Sequence, residues 1–279
     1  MSPKLQLIAG AAVFFAGAAG IAAGYRPIAV FAYPIVWWGL LVAMDAAHAL
    51  RWGTSPMRRD ARHFAGVTIP ASVLLWLMYE YLNVAFPQWR YRGYLEGRLV
   101  QSAFGFVSFA TVIPIMVEFY WLFTGPDPAM RGPWQRHRAA LVTVGTLALL
   151  APVATDWFWV NQAAWLGPAL LLAPFVGAAG LAAAPAALLG GFVWELANYW
   201  SWTKWEYTIH PDWPRLFEMP LLGYLGFIPF TFSALAVHAV LLRVKPAPRV
   251  AAALWACAAA AMFGLTLIYE ARGFWIPAG

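Results

Sequence analysis

Charged residues are what this sequence has least of. Only 11% of its 279 residues are charged, whereas a soluble domain averages about 25%. Hydrophobic residues make up 62% of the chain, and the mean hydropathy is +0.65. Apolar runs of roughly 20 residues, the length that crosses about 30 Å of hydrocarbon, recur along the whole chain. This composition excludes an ordinary soluble domain and predicts an integral membrane protein.

Metal-binding and cofactor-binding motifs are also absent from the sequence. A single cysteine, Cys257, excludes an internal disulfide, and there is no HExxH or cysteine set that would predict a metal site. P-loop, GxGxxG and nucleophile-elbow patterns are missing as well. The three lysines, Lys4, Lys204 and Lys245, lie at helix ends or in loops, which argues against a retinal Schiff base. We therefore expect neither a metal nor any other cofactor.

The apolar runs predict an all-α polytopic transmembrane bundle of about nine helices. Their expected positions are 5–24, 28–49, 64–85, 100–123, 139–155, 166–181, 183–201, 216–242 and 248–269. Eight helices are the alternative, because prolines interrupt the long apolar run at 166–201 and leave its division open. The predicted organisation is a first membrane repeat at 1–138, a second at 139–246 and a terminal helix at 247–279.

Basic residues predict the orientation of the bundle. The net charge of +6 comes from 18 Lys and Arg residues, most of them in short loops. With nine helices, the basic loops 51–63, 124–138 and 243–249 share one side with the N-terminus, which predicts a cytoplasmic N-terminus in a bacterial inner membrane. The charge therefore indicates topology and headgroup contacts, and we expect no nucleic-acid partner. A cleaved signal peptide is the alternative for the first helix, which we expect to be retained.

A polar and aromatic motif occurs twice in the chain. Its two copies are Glu80-x-x-Asn83 followed by Trp89-x-Tyr91, and Glu195-x-x-Asn198 followed by Trp205-x-Tyr207. With nine helices both Trp-x-Tyr loops fall on the outer side, and the two repeats run parallel. An eight-helix count would make the repeats inverted.

The repeated acids are the main candidates for catalysis. A carboxylate in an apolar run is a functional-site hypothesis by default, which applies to Glu80, Glu195 and Glu218. If Glu80 and Glu195 face each other across a two-fold axis, one of the two stays protonated in a dry cavity. Asn83 and Asn198 share helix faces with these acids, and each could orient its carboxyl group. The alternative is that the acids only fix helix packing.

Other polar residues in the apolar runs predict a proton relay. Asp45 and His48 are three residues apart on one helix face, where they could share a proton. Glu118 and His238 are further candidates for the relay. Polar groups of this kind in a membrane protein must point into the bundle.

Aromatic residues concentrate in the two motif loops. A protonated acid held among aromatic faces can protonate an alkene, and the rings then stabilise the cation. The candidate substrate-binding residues are Trp89, Tyr91, Trp194, Trp202, Trp205 and Tyr207. The alternative is an interfacial aromatic belt at the membrane surface.

Two short stretches resemble known membrane enzymes. Trp205-Glu206-Tyr207 followed by Phe217-Glu218-Met219-Pro220 is similar to the Trp-x-Tyr loop and acidic helix of the lycopene cyclases that are built from two repeated or heterodimeric halves. Trp194-Glu195 resembles the Trp-Glu element of membrane-bound fungal terpene cyclases. The resemblance implies an enzyme that protonates an isoprenoid or carotenoid with an intramembrane acid. A family of bacterial membrane proteins of unknown function with Trp-rich loops is the alternative.

Three functions remain open from the sequence. The first is an enzyme that acts on an isoprenoid, carotenoid or similar lipid by proton-initiated cyclisation, hydration or isomerisation. The second is a non-catalytic membrane subunit that binds a lipid, quinone or carotenoid, or assembles with partner membrane proteins or with further copies of itself. The third is a proton-coupled transporter, for which the few Ser, Thr and Asn residues within the helices give little support.

Overall fold

A computed structural model describes residues 1–93, 95–126, 132 and 134–276 of the chain. The helices are α1 Pro3–Ala22, α2 Arg26–Ala29, α3 Ala32–Trp52, α4 Pro56–Arg59, α5 Ala61–His63, α6 Ile69–Ala85, α7 Arg98–Phe109, α8 Val112–Thr124, α9 Arg138–Ala154, α10 Phe158–Asn161, α11 Gly167–Val176, α12 Ala183–Trp200, α13 Phe227–Leu241 and α14 Pro248–Arg272. The strands are β1 Trp89–Arg92, β2 Lys204–Tyr207, β3 Arg215–Leu216, β4 Met219–Pro220 and β5 Trp275–Ile276. A π-helical turn at Phe64–Thr68 joins α5 to α6, and 3₁₀ turns occupy Trp134–His137, Gln162–Leu166 and Leu221–Gly226.

The fold is the helical bundle that the apolar runs predict. Within the described part of the chain, seven helical segments are long and apolar enough to cross a membrane: Pro3–Ala22, Ala32–Trp52, Ala61–Ala85, Arg98–Thr124, Trp134–Ala154, Leu221–Leu241 and Pro248–Arg272. The prediction of an all-α membrane bundle is therefore confirmed. Its orientation stays a prediction, and part of the basic loop 124–138 lies outside the described residues.

The ambiguous run 166–201 folds as two helices, α11 and α12. They are separated by an irregular segment that starts at Gly177, whose φ of 82° favours glycine. The pairing of β1 with β2 requires that residues 166–201 cross the bundle twice, as two helices, and not once as a single helix. Because both strands lie at the same end of the bundle, the chain between them must traverse it an even number of times. Segments 98–124 and 134–154 are two of these passes, and α11 and α12 are the other two.

The predicted helix at 216–242 begins later than expected. Residues 215–220 form a short hairpin of β3 and β4, in which Phe217 has a φ of 57°. The Arg215 side chain holds the turn closed by donating to the Glu218 carbonyl at 2.7 Å. Pro220 has no backbone N–H to donate to a preceding helical turn, so the helical segment begins after it, as a 3₁₀ turn at Leu221–Gly226 that continues into α13 at Phe227. This corrects the expectation that Glu218 lies on a helix.

Two helix pairs cross at equivalent glycine contacts. Gly10 of α1 packs so closely on α3 that a Cβ there would lie 2.9 Å from the Gly39 carbonyl oxygen. Gly145 of α9 packs in the same way on α11, with a distance of 3.0 Å from a Cβ to the Gly167 carbonyl oxygen. Small residues let helix backbones approach within a membrane. The first two long helices of each predicted repeat therefore use the same kind of contact, although the repeat boundaries stay a prediction.

The bundle has two distinct ends. β1 and β2 pair antiparallel with Trp89 opposite Tyr207 and Tyr91 opposite Trp205, and β5 joins the other edge of β1. We call this end the strand end. The C-terminal parts of α3, α8 and α13 meet α4 and α5 at the other end, which we call the opposite end. The two ends hold the two groups of buried polar residues.

Candidate functional site: an aromatic cavity with two buried acids

Asn83 and Asn198 anchor the two strands. Asn83 Oδ1 accepts the backbone N–H groups of Gln88 at 2.7 Å and Trp89 at 3.2 Å, and its Nδ2 donates to the Trp89 carbonyl at 3.0 Å. Asn198 holds Trp205 in the same way, at 3.0 Å to its N–H and 2.9 Å to its carbonyl. Both asparagines therefore bond to strand backbone, and neither bonds directly to its neighbouring acid within the described structure. Asn83 Nδ2 also donates to the Tyr269 hydroxyl at 3.0 Å, and this hydroxyl is bonded to Glu80, so the contact of Asn83 with the acid is indirect. The expectation that each asparagine orients its acid stays a prediction.

Glu80 is surrounded by hydrogen-bond donors. The Trp76 and Trp89 indole nitrogens donate to its carboxylate at 2.5 and 3.2 Å. The Tyr91 and Tyr269 hydroxyls are also bonded to it, so each carboxylate oxygen has two donors. The side chain is fully buried. A buried carboxylate with four donors has all the hydrogen bonds that an ionised acid needs.

Glu195 has the equivalent position and far fewer partners. The Tyr207 hydroxyl lies 2.8 Å from its Oε1, and the Trp205 indole nitrogen donates to the same hydroxyl at 3.1 Å. Its Oε2 is buried with no hydrogen-bond partner in the described structure. An ionised carboxylate is costly to bury in this condition, so the environment favours a neutral carboxylic acid.

The two motif tyrosines remain protonated. Burial raises the pKa of Tyr91 and of Tyr207 well above the usual value, and the nearby Glu80 and Glu195 carboxyl groups raise it further. Both hydroxyls are therefore neutral at physiological pH. A neutral tyrosine can donate its own proton and accept another at the same oxygen.

A cavity of about 320 Å³ lies at the strand end between these elements. Its aromatic lining includes Trp76, Trp89, Trp165, Trp194, Trp205 and Phe230. Its polar groups are few: the Tyr91 and Tyr207 side chains, and Gln88 and Gln162, which are hydrogen-bonded to each other at 3.2 Å. An apolar pocket with a few convergent polar groups is the usual form of a small-molecule site.

Five of the six predicted substrate-binding aromatics line this cavity: Trp89, Tyr91, Trp194, Trp205 and Tyr207. The sixth, Trp202, lies outside the lining, where the Arg26 guanidinium stacks on its ring at 5.0 Å. Trp202 has 38% of its surface exposed. It therefore fits the aromatic-belt alternative better than a role in binding.

The two acids lie behind the cavity wall. Neither Glu80 nor Glu195 is part of the lining, and no hydrogen bond joins them in the described structure. Instead, Tyr91 and Tyr207 each contact an acid and line the cavity. Any proton that passes between an acid and a bound molecule has to pass through one of these hydroxyls.

Glu218 has a different environment. Its carboxylate forms a salt bridge with Lys204 at 2.5 Å, and both side chains remain partly exposed. The residue stands in the turn between β3 and β4, while its neighbours Met219 and Pro220 line the cavity. The structure thus places Glu218 in an ion pair beside the cavity.

The proposed relay residues gather at the opposite end. His48 Nδ1 lies 2.6 Å from Glu118 Oε2. Asp45 accepts hydrogen bonds from Gln6 Nε2 at 2.9 Å and from the Met57 backbone N–H at 2.8 Å. The expected proton-sharing partner of His48 is therefore Glu118 instead of Asp45, because tertiary packing brings α8 against α3. His238 lines a second cavity together with Glu118.

Several site residues are not singled out by the sequence patterns. Trp76 precedes Glu80 by one helical turn, and this spacing could have identified it. Trp165 and Phe230 give no signal beyond being aromatic. Tyr269 in α14 has no signal at all, because only the fold brings it to Glu80. Across the described chain, no three His, Cys, Asp or Glu side chains are grouped to hold a metal ion.

Comparisons with known proteins give no relative for this chain. No protein-family model, curated protein or solved structure matches it. The fold and the site together define a helical membrane protein with an aromatic cavity flanked by two buried acids. Its function has to be argued from this geometry.

Proposed function

We propose that the protein is a membrane enzyme that isomerises or cyclises an unsaturated lipid of the isoprenoid type by proton transfer. One observation carries the proposal: two buried acids each contact a tyrosine whose side chain lines an aromatic cavity. The aromatic lining suits an apolar substrate, and indole faces attract a carbocation. The aromatic belt explains exposed tryptophans such as Trp202 but does not explain this arrangement.

The proton donor in this proposal is Glu195. Because its Oε2 has no donor, Glu195 is the acid that is kept neutral. The Tyr207 O–H, which donates to Glu195 Oε1 in the structure, turns toward the cavity and gives its proton to one carbon of a double bond, while the same oxygen receives the Glu195 proton. A carbocation forms at the other carbon, surrounded by Trp194 and Trp205.

The proton acceptor is Glu80. Its four donors stabilise the ionised carboxylate, which takes the Tyr91 proton as Tyr91 removes a proton from the carbon next to the cation. A new double bond forms, so the product is an isomer of the substrate. Return of the proton from Glu80 to Glu195 restores the starting state. This cycle of proton transfers requires no oxidant, reductant or metal.

Mass spectrometry of cellular lipids tests the proposal. Lipids are extracted from cells that express wild-type protein, Glu195→Gln, Tyr207→Phe or no protein, and Glu96→Gln, at an exposed position outside the cavity lining, is the matched control. We expect a lipid of unchanged mass but altered retention time in the wild-type and Glu96→Gln samples. Its yield should fall about 100-fold or more in Glu195→Gln and Tyr207→Phe. An identical lipid profile in all samples would refute the enzymatic proposal.

A second candidate function is binding of the same class of lipid without chemistry. The observation that favours it is that both acids lie behind the cavity wall, where Glu80 is occupied by structural hydrogen bonds. This function predicts that an apolar lipid co-purifies with the protein equally in the wild type and in Glu195→Gln. Substitution of Trp194 by alanine should release it, and no isomeric product should be found.

A further inference from the structure

A second cavity lies at the opposite end of the bundle, remote from the aromatic cavity. It measures about 170 Å³ and lies between α4, α5, α8 and α13. In contrast to the aromatic cavity, its lining carries charged and polar side chains: Arg59, Asp60, His63, Thr68, Glu118 and His238. The proposed lipid chemistry uses none of these residues.

Two buried polar atoms in this lining have no protein partner. Glu118 is fully buried, and its Oε2 is bonded to His48 Nδ1, but its Oε1 has no hydrogen bond within the described structure. The Nδ1 atom of His238 is in the same condition. Because buried polar atoms are nearly always hydrogen-bonded, these two atoms indicate a ligand with hydrogen-bonding capacity.

Charged groups face Glu118 from α3, α4 and the residue that follows α4. Asp45 and His48 approach from α3, and the Asp45 carboxyl group is within hydrogen-bonding reach of the Glu118 carboxyl group, so a proton on Glu118 can be shared with either side chain. The Arg59 guanidinium of α4 stacks on the Trp121 ring at 5.1 Å, and Asp60 follows it in the lining.

Two histidines complete the surroundings of Glu118. His63 of α5 is held by the Leu241 carbonyl at 2.7 Å and by Thr68 Oγ1 at 3.3 Å. His238 of α13 presents an unbonded nitrogen at the same cavity. Histidine is the side chain whose proton exchanges most readily near neutral pH.

The size and polarity of the cavity suit water. At about 30 Å³ per molecule, roughly five waters fill it. A buried water needs two to four polar partners, and Glu118, His238, Asp60 and Thr68 supply them. Glu118 Oε1 and His238 Nδ1 are themselves buried, so each side chain has to turn toward this water to bond with it.

We propose that the opposite-end cavity is a hydrated proton-binding site, in which Glu118 exchanges a proton with water that is continuous with the opposite surface. A hydronium ion in this water gives a proton to Glu118 Oε1 and becomes water, while the proton on Glu118 Oε2 passes to His48 Nδ1 across their 2.6 Å contact; the reverse steps return a proton to the water. Only O–H and N–H bonds form and break. This inference concerns a different end of the molecule and does not depend on the proposed lipid chemistry.

Infrared spectroscopy of the purified protein tests the proposal. The carboxyl bands of Glu118 and Glu195 are identified by their loss in Glu118→Gln and Glu195→Gln. If Glu118→Gln does not fold, His238→Gln identifies the Glu118 band by shifting it. On transfer from H₂O to D₂O buffer, we expect the Glu118 band to shift rapidly and to respond to buffer pH. Glu195 belongs to the lining of neither the aromatic cavity nor the opposite-end cavity and should exchange much more slowly.

A variant at the cavity mouth tests whether protons reach Glu118 through the water in this cavity. Leu242 is 58% exposed and lines the cavity, so Leu242→Trp should cover the mouth and slow the exchange at Glu118. Leu50→Trp, at an exposed position near the same end and outside the lining, is the matched control and should leave the rate unchanged. Exchange at Glu118 as slow as at Glu195, or unaffected by Leu242→Trp, would overturn the proposal.

Discussion

Glu80 and Glu195 occupy equivalent positions in the two copies of one motif, but their hydrogen-bonding environments differ. Each lies three residues before an asparagine that anchors a strand, and each contacts the tyrosine of that strand. Glu80 has four donors, whereas Glu195 has one and leaves an oxygen unpaired. Identical motifs can therefore place their acids in different hydrogen-bonding environments when the neighbouring side chains differ.

Most of the difference comes from outside the motif. Of the three additional donors to Glu80 only Trp89 belongs to the motif, and its counterpart Trp205 donates to the Tyr207 hydroxyl. Trp76 donates to Glu80 from one turn earlier in α6, and Tyr269 donates from α14, a helix that follows both predicted repeats. At the corresponding position before Glu195, one turn earlier in α12, the chain has Gly191, which offers no side-chain donor. The terminal helix thus makes two similar halves chemically unequal.

Removing the acids should give the largest contrast in stability. Glu80→Leu leaves four buried donors without an acceptor, so we expect the free energy of unfolding to fall by about 4 kcal/mol or more. Glu195→Leu leaves only the Tyr207 hydroxyl without its acceptor and should lower the free energy of unfolding by about 1 to 2 kcal/mol. Unfolding in mixed detergent micelles measures both. Equal losses would mean that the two environments do not differ as described.

Substitution of Asn83 should lower the free energy of unfolding more than substitution of Asn198, and both losses should be smaller than the loss in Glu80→Leu. Asn83 bonds to Gln88, Trp89 and the Tyr269 hydroxyl, whereas Asn198 bonds to Trp205 alone. We expect Asn83→Ala to lower the free energy of unfolding by about 3 kcal/mol and Asn198→Ala by about 2 kcal/mol. The same detergent titration compares them, and a larger loss in Asn198→Ala would contradict the ranking.

Tyr269→Phe isolates the contribution of the terminal helix. The change removes one donor from Glu80 and keeps the ring that stacks on Phe274, so the expected loss is about 1 to 2 kcal/mol. In Glu80→Leu the same substitution should cost less, because the acceptor is already gone. A double-mutant cycle measures this coupling, and strict additivity would show that Tyr269 acts independently of Glu80.

Substitution of two tryptophans should distinguish a ring of the cavity wall from a ring outside the cavity. Trp194→Phe removes a ring from the cavity wall and should weaken binding of an apolar lipid probe about tenfold, equivalent to about 1.4 kcal/mol. Trp202→Phe changes a ring outside the lining and should leave binding within about twofold. Fluorescence titration with a polyene probe in detergent checks both, and equal effects would contradict the assignment of the cavity.

The smallest expected effect is a shift in the pH at which the motif tyrosines, Tyr91 and Tyr207, ionise. Because the pKa values of Tyr91 and Tyr207 are raised above the ordinary value of about 10, both hydroxyls stay protonated as pH rises to that value. Absorbance of tyrosinate should therefore appear at these positions only at higher pH. A comparison of wild-type protein with Tyr91→Phe and Tyr207→Phe in an alkaline titration would reveal any earlier ionisation.

Much of the fold follows from the sequence by itself. Apolar runs long enough to span a bilayer set the helices of the bundle, because backbone groups in lipid must bond within their own segment. The repeated Glu-x-x-Asn and Trp-x-Tyr spacing is enough to predict two matching sites. Their local hydrogen bonds, such as those of Asn83 and Asn198 to the strand backbone, join residues close in sequence.

The differences between the two sites, and the other groups near them, depend on packing between distant parts of the chain. The Glu80 contact with Tyr269 and the Glu118 contact with His48 join residues that are distant along the chain, and periodicity carries no information about such contacts. The hairpin at Glu218 also replaced an expected helix, because Pro220 and the Arg215 hydrogen bond outweigh apolar periodicity there. Composition placed this chain in a membrane, whereas packing between distant helices determined which acids are paired and which keep an unsatisfied oxygen.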